Sequence, residues 1–139
     1  MKTIAIVQRK GGNGKSTSCL NLARSLSLKG KRVLIVDLDD QKNSTQSIPF
    51  ENKIAHTVDE VLVNDELVVK DAVTATDWKG VEVLAGSSNL SGVIRELDGE
   101  VGSHLVLKEK LDEVKDDFDF CLIDTSPSLN ILVVNALCA

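Results

Sequence analysis

The chain has 139 residues, of which 42% are hydrophobic and 27% are charged, and its formal net charge is −5. This balance predicts a soluble globular protein with a core of its own, and it argues against a nucleic-acid surface spread over the whole chain, though not against a local basic patch. With no signal-peptide pattern and no apolar run near the roughly 20 residues of a membrane helix, the chain is expected to be cytoplasmic.

The predicted elements alternate between apolar strands and amphipathic helices. Strands are predicted at 2–8, 32–37, 81–86 and 118–124. Helices are predicted at 15–29, after the capping box of Thr57 and Glu60, along the apolar stripes of 90–97 and 107–114, and after 128. The polar segments 39–47 and 125–128 are predicted to be loops. This alternation indicates an α/β fold with a mostly parallel sheet.

Two further features concern the chain as a whole. The three cysteines, Cys19, Cys121 and Cys138, lie far apart among apolar residues, without the spacing of metal ligands, and are expected to be reduced core thiols. The last residues, NILVVNALCA, stop within a helix-like apolar pattern that has no cap. We therefore expect the chain to be part of a longer domain.

The segment QRKGGNGKST (8–17) follows the first predicted strand and opens the first predicted helix. Its three glycines permit positive φ angles and a close approach of the backbone to a ligand. Successive N–H groups at the start of a helix form an anion site that the helix dipole supports. Lys15 is then expected on the β- and γ-phosphates of a nucleotide, and the hydroxyl of Ser16 on Mg²⁺. The alternative is a glycine-rich turn with an exposed lysine.

Three aspartates stand at the carboxyl ends of predicted strands, where ligands bind in open parallel sheets. Asp124 ends an apolar strand, so a Mg²⁺-bound water is its expected partner; the alternative is a helix cap or a loop aspartate. Asp37 and Asp39 are two residues apart at the end of another strand, so both can face the same site.

Three motifs resemble those of ParA-type, Soj-like partition ATPases, in the order that this family has. KGGNGKST (10–17) matches the deviant Walker A signature K-G-G-x-G-K-[ST]. VLIVDLDDQKNST (33–45) resembles the second-strand motif V-D-x-D-P-Q-G-N-x-T. FDFCLIDTSPSLNILVVNAL (118–137) resembles the Walker B strand with its proline-rich loop and following helix. The chain departs from these patterns at four positions: Asn13 for valine, Asp40 for proline, Lys42 for glycine and Ser126 for proline.

The resemblance implies a P-loop NTPase fold with helices on both faces of the sheet. Residues 1–139 would be the N-terminal part of a single deviant Walker A ATPase domain, truncated after the Walker B strand and the following helix. The implied activity is Mg²⁺-dependent ATP hydrolysis by a homodimer that sandwiches ATP and drives plasmid or chromosome segregation. The implied partners are a centromere-binding, ParB-like protein and non-specific DNA, the latter through the second half of the domain, and no membrane is expected.

The resemblance also implies roles for single residues. Lys10, Lys15 and Asp39 are the expected catalytic residues: Asp39 orients the attacking water, and Lys10 reaches the phosphates of the partner subunit. The alternative for Lys10 is a solvated charge at the rim of the loop. The metal residues are Ser16, Asp37 and Asp124. The expected nucleotide-binding residues are Lys10, Gly11, Gly12, Asn13, Gly14, Lys15, Ser16 and Thr17.

Two other functions remain open from the sequence. One is a MinD-like, membrane-associated division-site ATPase, which a C-terminal amphipathic helix would support. The other is a regulatory fragment that binds nucleotide without turnover.

Overall fold

The computed structural model describes all 139 residues and confirms the α/β class and the mostly parallel sheet. The sheet has five strands in the order β1-β5-β2-β4-β3. All neighbouring strands are parallel except β3 and β4, which are antiparallel. The strands are β1 (Lys2–Ile6), β2 (Val33–Leu38), β3 (Val73–Ala75), β4 (Val81–Leu84) and β5 (Phe120–Thr125).

Seven α-helices connect and flank these strands. They are α1 (Lys15–Leu28), α2 (Asn43–Ser47), α3 (Val58–Val63), α4 (Val69–Ala72), α5 (Leu90–Leu97), α6 (Val106–Asp112) and α7 (Ile131–Cys138), and a 3-10 turn at Ser103–Leu105 precedes α6. The capping box of Thr57 and Glu60 forms at the start of α3 as predicted. No helix combines the length and the hydropathy that crossing a membrane requires.

Helices cover both faces of the sheet, as predicted, and this explains why β2 opens with the apolar run 33–36. Val33 and Ile35 pack with Cys19 and Ala23 of α1 on one face. On the other face, Leu34, Val36 and Leu38 pack in the larger core that α3 to α7 build. A strand covered on both sides has no position for a solvated side chain, which produces a continuous apolar run rather than an alternating one.

The structure corrects the predicted elements at several points. The segment 39–47 is not entirely a loop, because it ends in α2, and β3 and α4 were not predicted. Cys19 and Cys121 are buried as expected, whereas Cys138 is exposed at the end of α7. Lys110 of α6 is buried despite its charge.

The parallel register aligns the carboxyl ends of the three central strands. Asp124 at the end of β5 is the register partner of Ile6 in β1 and of Asp37 in β2. The loop 7–14 leaves β1 at this edge and leads directly into α1. The edge therefore brings the glycine-rich loop above two of the aspartates that the sequence singled out.

Candidate nucleotide and magnesium site

A cleft of about 510 Å³ opens at the carboxyl edge of the sheet, between the glycine-rich loop and α2. Only one of its lining residues, Leu20, is a large aliphatic, so the cleft suits a polar ligand. The residues that line it are Gly11, Gly12, Gly14, Lys15, Ser16, Thr17, Leu20, Asp39, Gln41, Asn43, Ser47 and Pro127.

The loop has the backbone that its glycines predict. Gly12 and Gly14 have φ angles of 75° and 77°, in the left-handed region that side chains disfavour. Gly14 is the residue before α1, and neither a capping side chain nor an acidic residue of the first turn occupies the N-terminus of that helix. The free N–H groups and the helix dipole therefore face the cleft and favour an anion there.

The predicted nucleotide-binding residues do not all lie in the cleft. Gly11, Gly12, Gly14, Lys15, Ser16 and Thr17 line it, whereas Lys10 and Asn13 do not. Lys10 and Asn13 are exposed. The Lys10 side chain forms no ion pair within the chain. The pocket of one subunit is thus built from part of the motif, and Lys10 is exposed outside its lining.

Asp124 is fully buried beneath this loop. Its Oδ2 accepts a hydrogen bond of 2.6 Å from the Ser44 hydroxyl, and its Oδ1 is the one buried side-chain polar atom that has no partner. A buried carboxylate oxygen without a partner is costly, because neither water nor a donor solvates it. The structure thus leaves one acceptor of Asp124 open at the base of the site.

Asp37 is also fully buried, but protein donors occupy both of its oxygens. Thr45 donates from its backbone N–H and from its hydroxyl to Oδ2, each at 2.8 Å, and the Asp39 N–H donates to Oδ1 at 3.2 Å. Burial raises the pKa of Asp37 to about 6, while these hydrogen bonds oppose the shift. Gly86 passes so close that a Cβ at this position would lie 2.9 Å from the Asp37 Cγ. Asp37 therefore anchors α2 to the sheet beside Asp124.

Asp39 lies at the wall that the main cleft shares with a second cleft of about 270 Å³. Its Oδ1 accepts a hydrogen bond from the Gln41 N–H at 3.0 Å, and burial raises its pKa. Asp40, one of the departures from the family pattern, lines the second cleft. The side chain of Asp39 is thus held by a tight turn at the border of the phosphate-binding cleft.

Sequence reasoning assigned no role to the residues of α2. Ser44 and Thr45 hold Asp124 and Asp37, and Asn43 and Ser47 line the cleft. The signal that could have identified them is the pair of hydroxyl residues that follows the acidic strand end, because buried carboxylates require donors. Thr45 also accepts a hydrogen bond from the Gly86 N–H at 2.9 Å, which ties α2 to the end of β4.

The site fits a magnesium ion that is held together with a nucleotide. No three His, Cys, Asp or Glu side chains form a protein-only metal centre. Magnesium in phosphate sites takes one or two protein oxygens and completes its coordination with waters and phosphate oxygens. The open oxygen of Asp124 and the hydroxyl of Ser16 are oxygen ligands of this type for Mg²⁺.

The parallel sheet, the glycine-rich loop at the start of α1 and the buried aspartate below it define a P-loop NTPase fold. A family model described as AAA domain matches residues 1–139, the whole chain. The chain belongs to this AAA domain family.

Known proteins confirm the resemblance to ParA-type, Soj-like ATPases. The sporulation initiation inhibitor protein Soj of Bacillus subtilis (strain 168) is 39% identical over 139 residues, 99% of this chain and 54% of that protein. The chromosome-partitioning ATPase Soj of Treponema pallidum (strain Nichols) is 39% identical over 138 residues, 99% of this chain and 53% of that protein. The chain thus spans about half the length of the curated relatives it matches.

A solved structure shows the same fold with a ligand. Cobyrinic acid a,c-diamide synthase from Mycobacterium smegmatis, with bound ATP analogue and magnesium, superposes with a TM-score of 0.92 at 34% identity. The alignment covers 100% of this chain and 57% of that protein.

Proposed function

We propose that this chain carries the ATP- and magnesium-binding machinery of a cytoplasmic partition ATPase that segregates a plasmid or a chromosome. The observation that carries the proposal is the unpartnered Oδ1 of Asp124, which lies buried below a phosphate loop whose helix N-terminus is free. A site with an anion-binding loop on one side and an open carboxylate oxygen on the other is complementary to a nucleotide phosphate with its cation. The similarity to the Soj proteins supports segregation as the proposed biological process.

Binding of the nucleotide is assigned to residues that line the cleft. The loop N–H groups and Lys15 hold the phosphates, while Ser16 and Asp124 hold Mg²⁺, which neutralises phosphate charge when it is bound. Asp37 keeps α2 in place through Thr45 and so fixes Ser44 against Asp124. In this assignment Asp37 supports the magnesium region indirectly, by holding α2 in position.

Hydrolysis is assigned to Asp39 and Lys10. Asp39 lies at the border of the cleft, where its carboxylate can orient a water without binding the phosphates itself. Lys10 is exposed and does not line its own cleft, so we assign it to the site of a second subunit in an ATP-dependent homodimer. A cation supplied in trans stabilises the charge that develops on the transferred phosphoryl group.

The remaining partners follow from the resemblance to the partition branch. We propose a centromere-binding, ParB-like partner and contact with non-specific DNA in the remaining length that the relatives have beyond the matched half.

Calorimetric titration of the chain with ATP, with and without Mg²⁺, tests the proposed function. Lys15→Ala should abolish measurable binding, because only the loop amides then face the phosphate charge. Lys10→Ala is the matched control, since it removes the same charge from the same loop and should leave binding intact. Asp124→Asn should retain binding without Mg²⁺ and lose the gain that Mg²⁺ gives. Unchanged affinity in Lys15→Ala would refute the assignment of the loop.

A further inference from the structure

The two buried aspartates at the carboxyl edge of the sheet receive unequal numbers of hydrogen bonds. Asp37 and Asp124 are register partners on the neighbouring strands β2 and β5, and both are fully buried. Three donors bind Asp37, whereas Asp124 accepts a single hydrogen bond, from the Ser44 hydroxyl to Oδ2. An ionised carboxylate has about four acceptor positions, so most of the acceptor capacity of Asp124 is unused. The chain thus holds one oxygen of Asp124 and leaves the other open.

Helix α2 produces this difference because two of its residues contact two different carboxylates. Consecutive residues of a helix point about 100° apart, and neighbouring strands of a sheet lie about 4.8 Å apart. Thr45 contacts Asp37 with its backbone N–H and its hydroxyl, while Ser44 contacts Asp124 with its hydroxyl alone. The ParA-type motif V-D-x-D-P-Q-G-N-x-T specifies threonine at position 45 and leaves position 44 open. The motif therefore does not account for the bond between Ser44 and Asp124.

The Ser44 hydroxyl is committed to Asp124. Ser44 is fully buried, so bulk water does not reach its hydroxyl, and its single proton is donated to Asp124 at 2.6 Å, a length typical of bonds to a charged acceptor. Cys19 of α1 is buried beside this pair. Burial raises the pKa of the Cys19 thiol, the charges of Asp124 and Asp37 raise it further, and the nearby Ser44 hydroxyl opposes the shift. The thiol therefore stays protonated and does not take the serine proton from Asp124.

A single open carboxylate oxygen suits Mg²⁺ better than Ca²⁺. Mg²⁺ demands a near-octahedral shell and takes one or two carboxylates beside waters and phosphate oxygens. Ca²⁺ takes roughly six to eight oxygens and accepts a carboxylate through both of its oxygens. Because Ser44 holds Oδ2, Asp124 has only Oδ1 to offer. Asp37, whose oxygens both accept hydrogen bonds from protein donors, offers none.

We propose that Ser44 is a positioning residue that makes the site selective for Mg²⁺ over Ca²⁺. Its hydroxyl fixes the orientation of Asp124 and limits it to one open oxygen, which supports the small octahedral ion and denies the larger ion a two-oxygen ligand. This role rests on the proposed nucleotide and magnesium site. Ser44 does not line the cleft and acts through Asp124.

Calorimetric titration with a non-hydrolysable ATP analogue tests this role, in EDTA, in Mg²⁺ and in Ca²⁺. The quantity compared between proteins is the ratio of the analogue affinity in Mg²⁺ to the analogue affinity in Ca²⁺. Ser44→Ala removes the bond to Asp124 and frees Oδ2. The ratio should then fall by about tenfold or more, because the hydrogen-bond partners of metal-binding side chains contribute about 10–100-fold to metal affinity. The affinity in EDTA should stay close to that of wild type, since Ser44 does not line the cleft.

Two further variants separate the hydroxyl of Ser44 from a general effect of the substitution. Ser103→Ala is the matched control, because it removes the hydroxyl of another buried serine, in the 3-10 turn before α6 and outside the cleft, and its ratio should equal that of wild type. Ser44→Thr keeps the hydroxyl and should restore most of the ratio. If the added methyl group prevents folding, Ser44→Cys should give a ratio between those of wild type and Ser44→Ala, because a thiol is a weaker donor. Reducing buffer keeps that variant from reacting with Cys19.

Three results would overturn the role of Ser44: a wild-type protein that gains as much affinity from Ca²⁺ as from Mg²⁺, a Ser44→Ala protein with the wild-type ratio, and a folded Ser44→Thr protein that behaves like Ser44→Ala. An equal loss of affinity in EDTA, Mg²⁺ and Ca²⁺ would also contradict it, because the serine would then only keep α2 in place. A wild-type protein that gains no affinity from Mg²⁺ would instead refute the proposed magnesium site. The wild-type titration thus tests the site, and the comparison of variants tests Ser44.

Discussion

Lys42 is the one residue other than glycine with a positive φ, 54°, and its ψ of 34° places it in the left-handed helical region. It precedes α2, and its N–H donates to the Asp39 carbonyl at 2.9 Å. The ParA-type motif has glycine at the corresponding position, and the backbone gives the physical reason. The strained residue Lys42 thus lies between β2 and α2, the two elements that carry the buried residues of the site.

We predict that replacing Lys42 by glycine stabilises the chain relative to replacing it by alanine. Both substitutions remove the same charge, but alanine retains a Cβ in the left-handed region, which costs about 1 kcal/mol. Urea unfolding of Lys42→Gly and Lys42→Ala should show this difference in the free energy of unfolding. An alanine variant as stable as the glycine variant would mean that Lys42 does not keep this backbone conformation in solution.

In a full-length protein that contains this chain, Asp39→Ala should affect turnover far more than it affects nucleotide affinity. The carboxylate lies at the border of the cleft and is not part of the phosphate loop, so its proposed task is to orient water. Loss of a positioning group should lower kcat by about 10²-fold or more, with ATP affinity within about threefold of wild type. Steady-state hydrolysis and calorimetry together measure the two effects. If affinity collapses as far as turnover does, the residue holds the nucleotide and not the water.

At the scale of elements, Lys110 of α6 binds three backbone carbonyls of one loop. Its buried Nζ donates to the carbonyl oxygens of Asn64, Asp65 and Leu67 at 3.0, 3.3 and 3.1 Å. These carbonyls belong to the loop between α3 and α4, which has no sheet or helix partners for them. The ammonium group therefore holds this loop against α6.

Lys110→Met should destabilise the chain by about 2–3 kcal/mol, because methionine retains most of the stem but removes the ammonium donor from the Asp65 and Leu67 carbonyls and leaves Asn64 only its bond from the Leu67 N–H. Lys108→Met is the matched control on the same helix, where the side chain is exposed and the expected change is within about 0.5 kcal/mol. Thermal or urea unfolding of both variants measures the difference. Equal effects would show that the loop carbonyls are solvated without Lys110.

The elements that sequence reasoning missed are those whose stability comes from tertiary contacts. Strand β3 has only three residues, Val73–Ala75, and exists by pairing with β4, so it carries no periodic pattern of its own. Helix α2 consists of polar residues, and its buried positions, Ser44 and Thr45, face carboxylates instead of a hydrophobic core. Longer elements such as β2 and α1 were predictable because burial imposes a pattern on many consecutive residues.

The same distinction applies to the site. The phosphate loop and the aspartates could be recognised from the sequence because each follows a strand end. That Asp124 retains an open oxygen while Asp37 does not could not be predicted, because it depends on the positions of Ser44 and Thr45 in space.

At the scale of the whole molecule, we expect ATP to link two subunits of a full-length protein that contains this chain. Lys10→Ala should keep ATP binding and lose the dimer that forms with a non-hydrolysable ATP analogue, because Lys10 is exposed and does not line its own cleft. Light scattering with and without the analogue measures this.

Association through the free edge of β1, which pairs only with β5, is a separate effect. It should not depend on the analogue and should be equal in wild type and variant. A dimer that forms as readily in Lys10→Ala would show that Lys10 is a solvated charge at the rim of the loop and makes no contact between subunits.

The sheet order also has a consequence for the synthesis of the protein. Strand β1 pairs only with β5, and Lys2 and its register partner Phe120 are 118 residues apart. A ribosome that adds roughly 5–20 residues per second makes β5 some 6–24 s after β1. During that interval Ile4 and Ile6 have no strand on either side. Strand β1 therefore leaves the ribosome first and stays unpaired for the longest time. A nascent chain of this fold should depend on a chaperone most strongly before residue 120 has emerged.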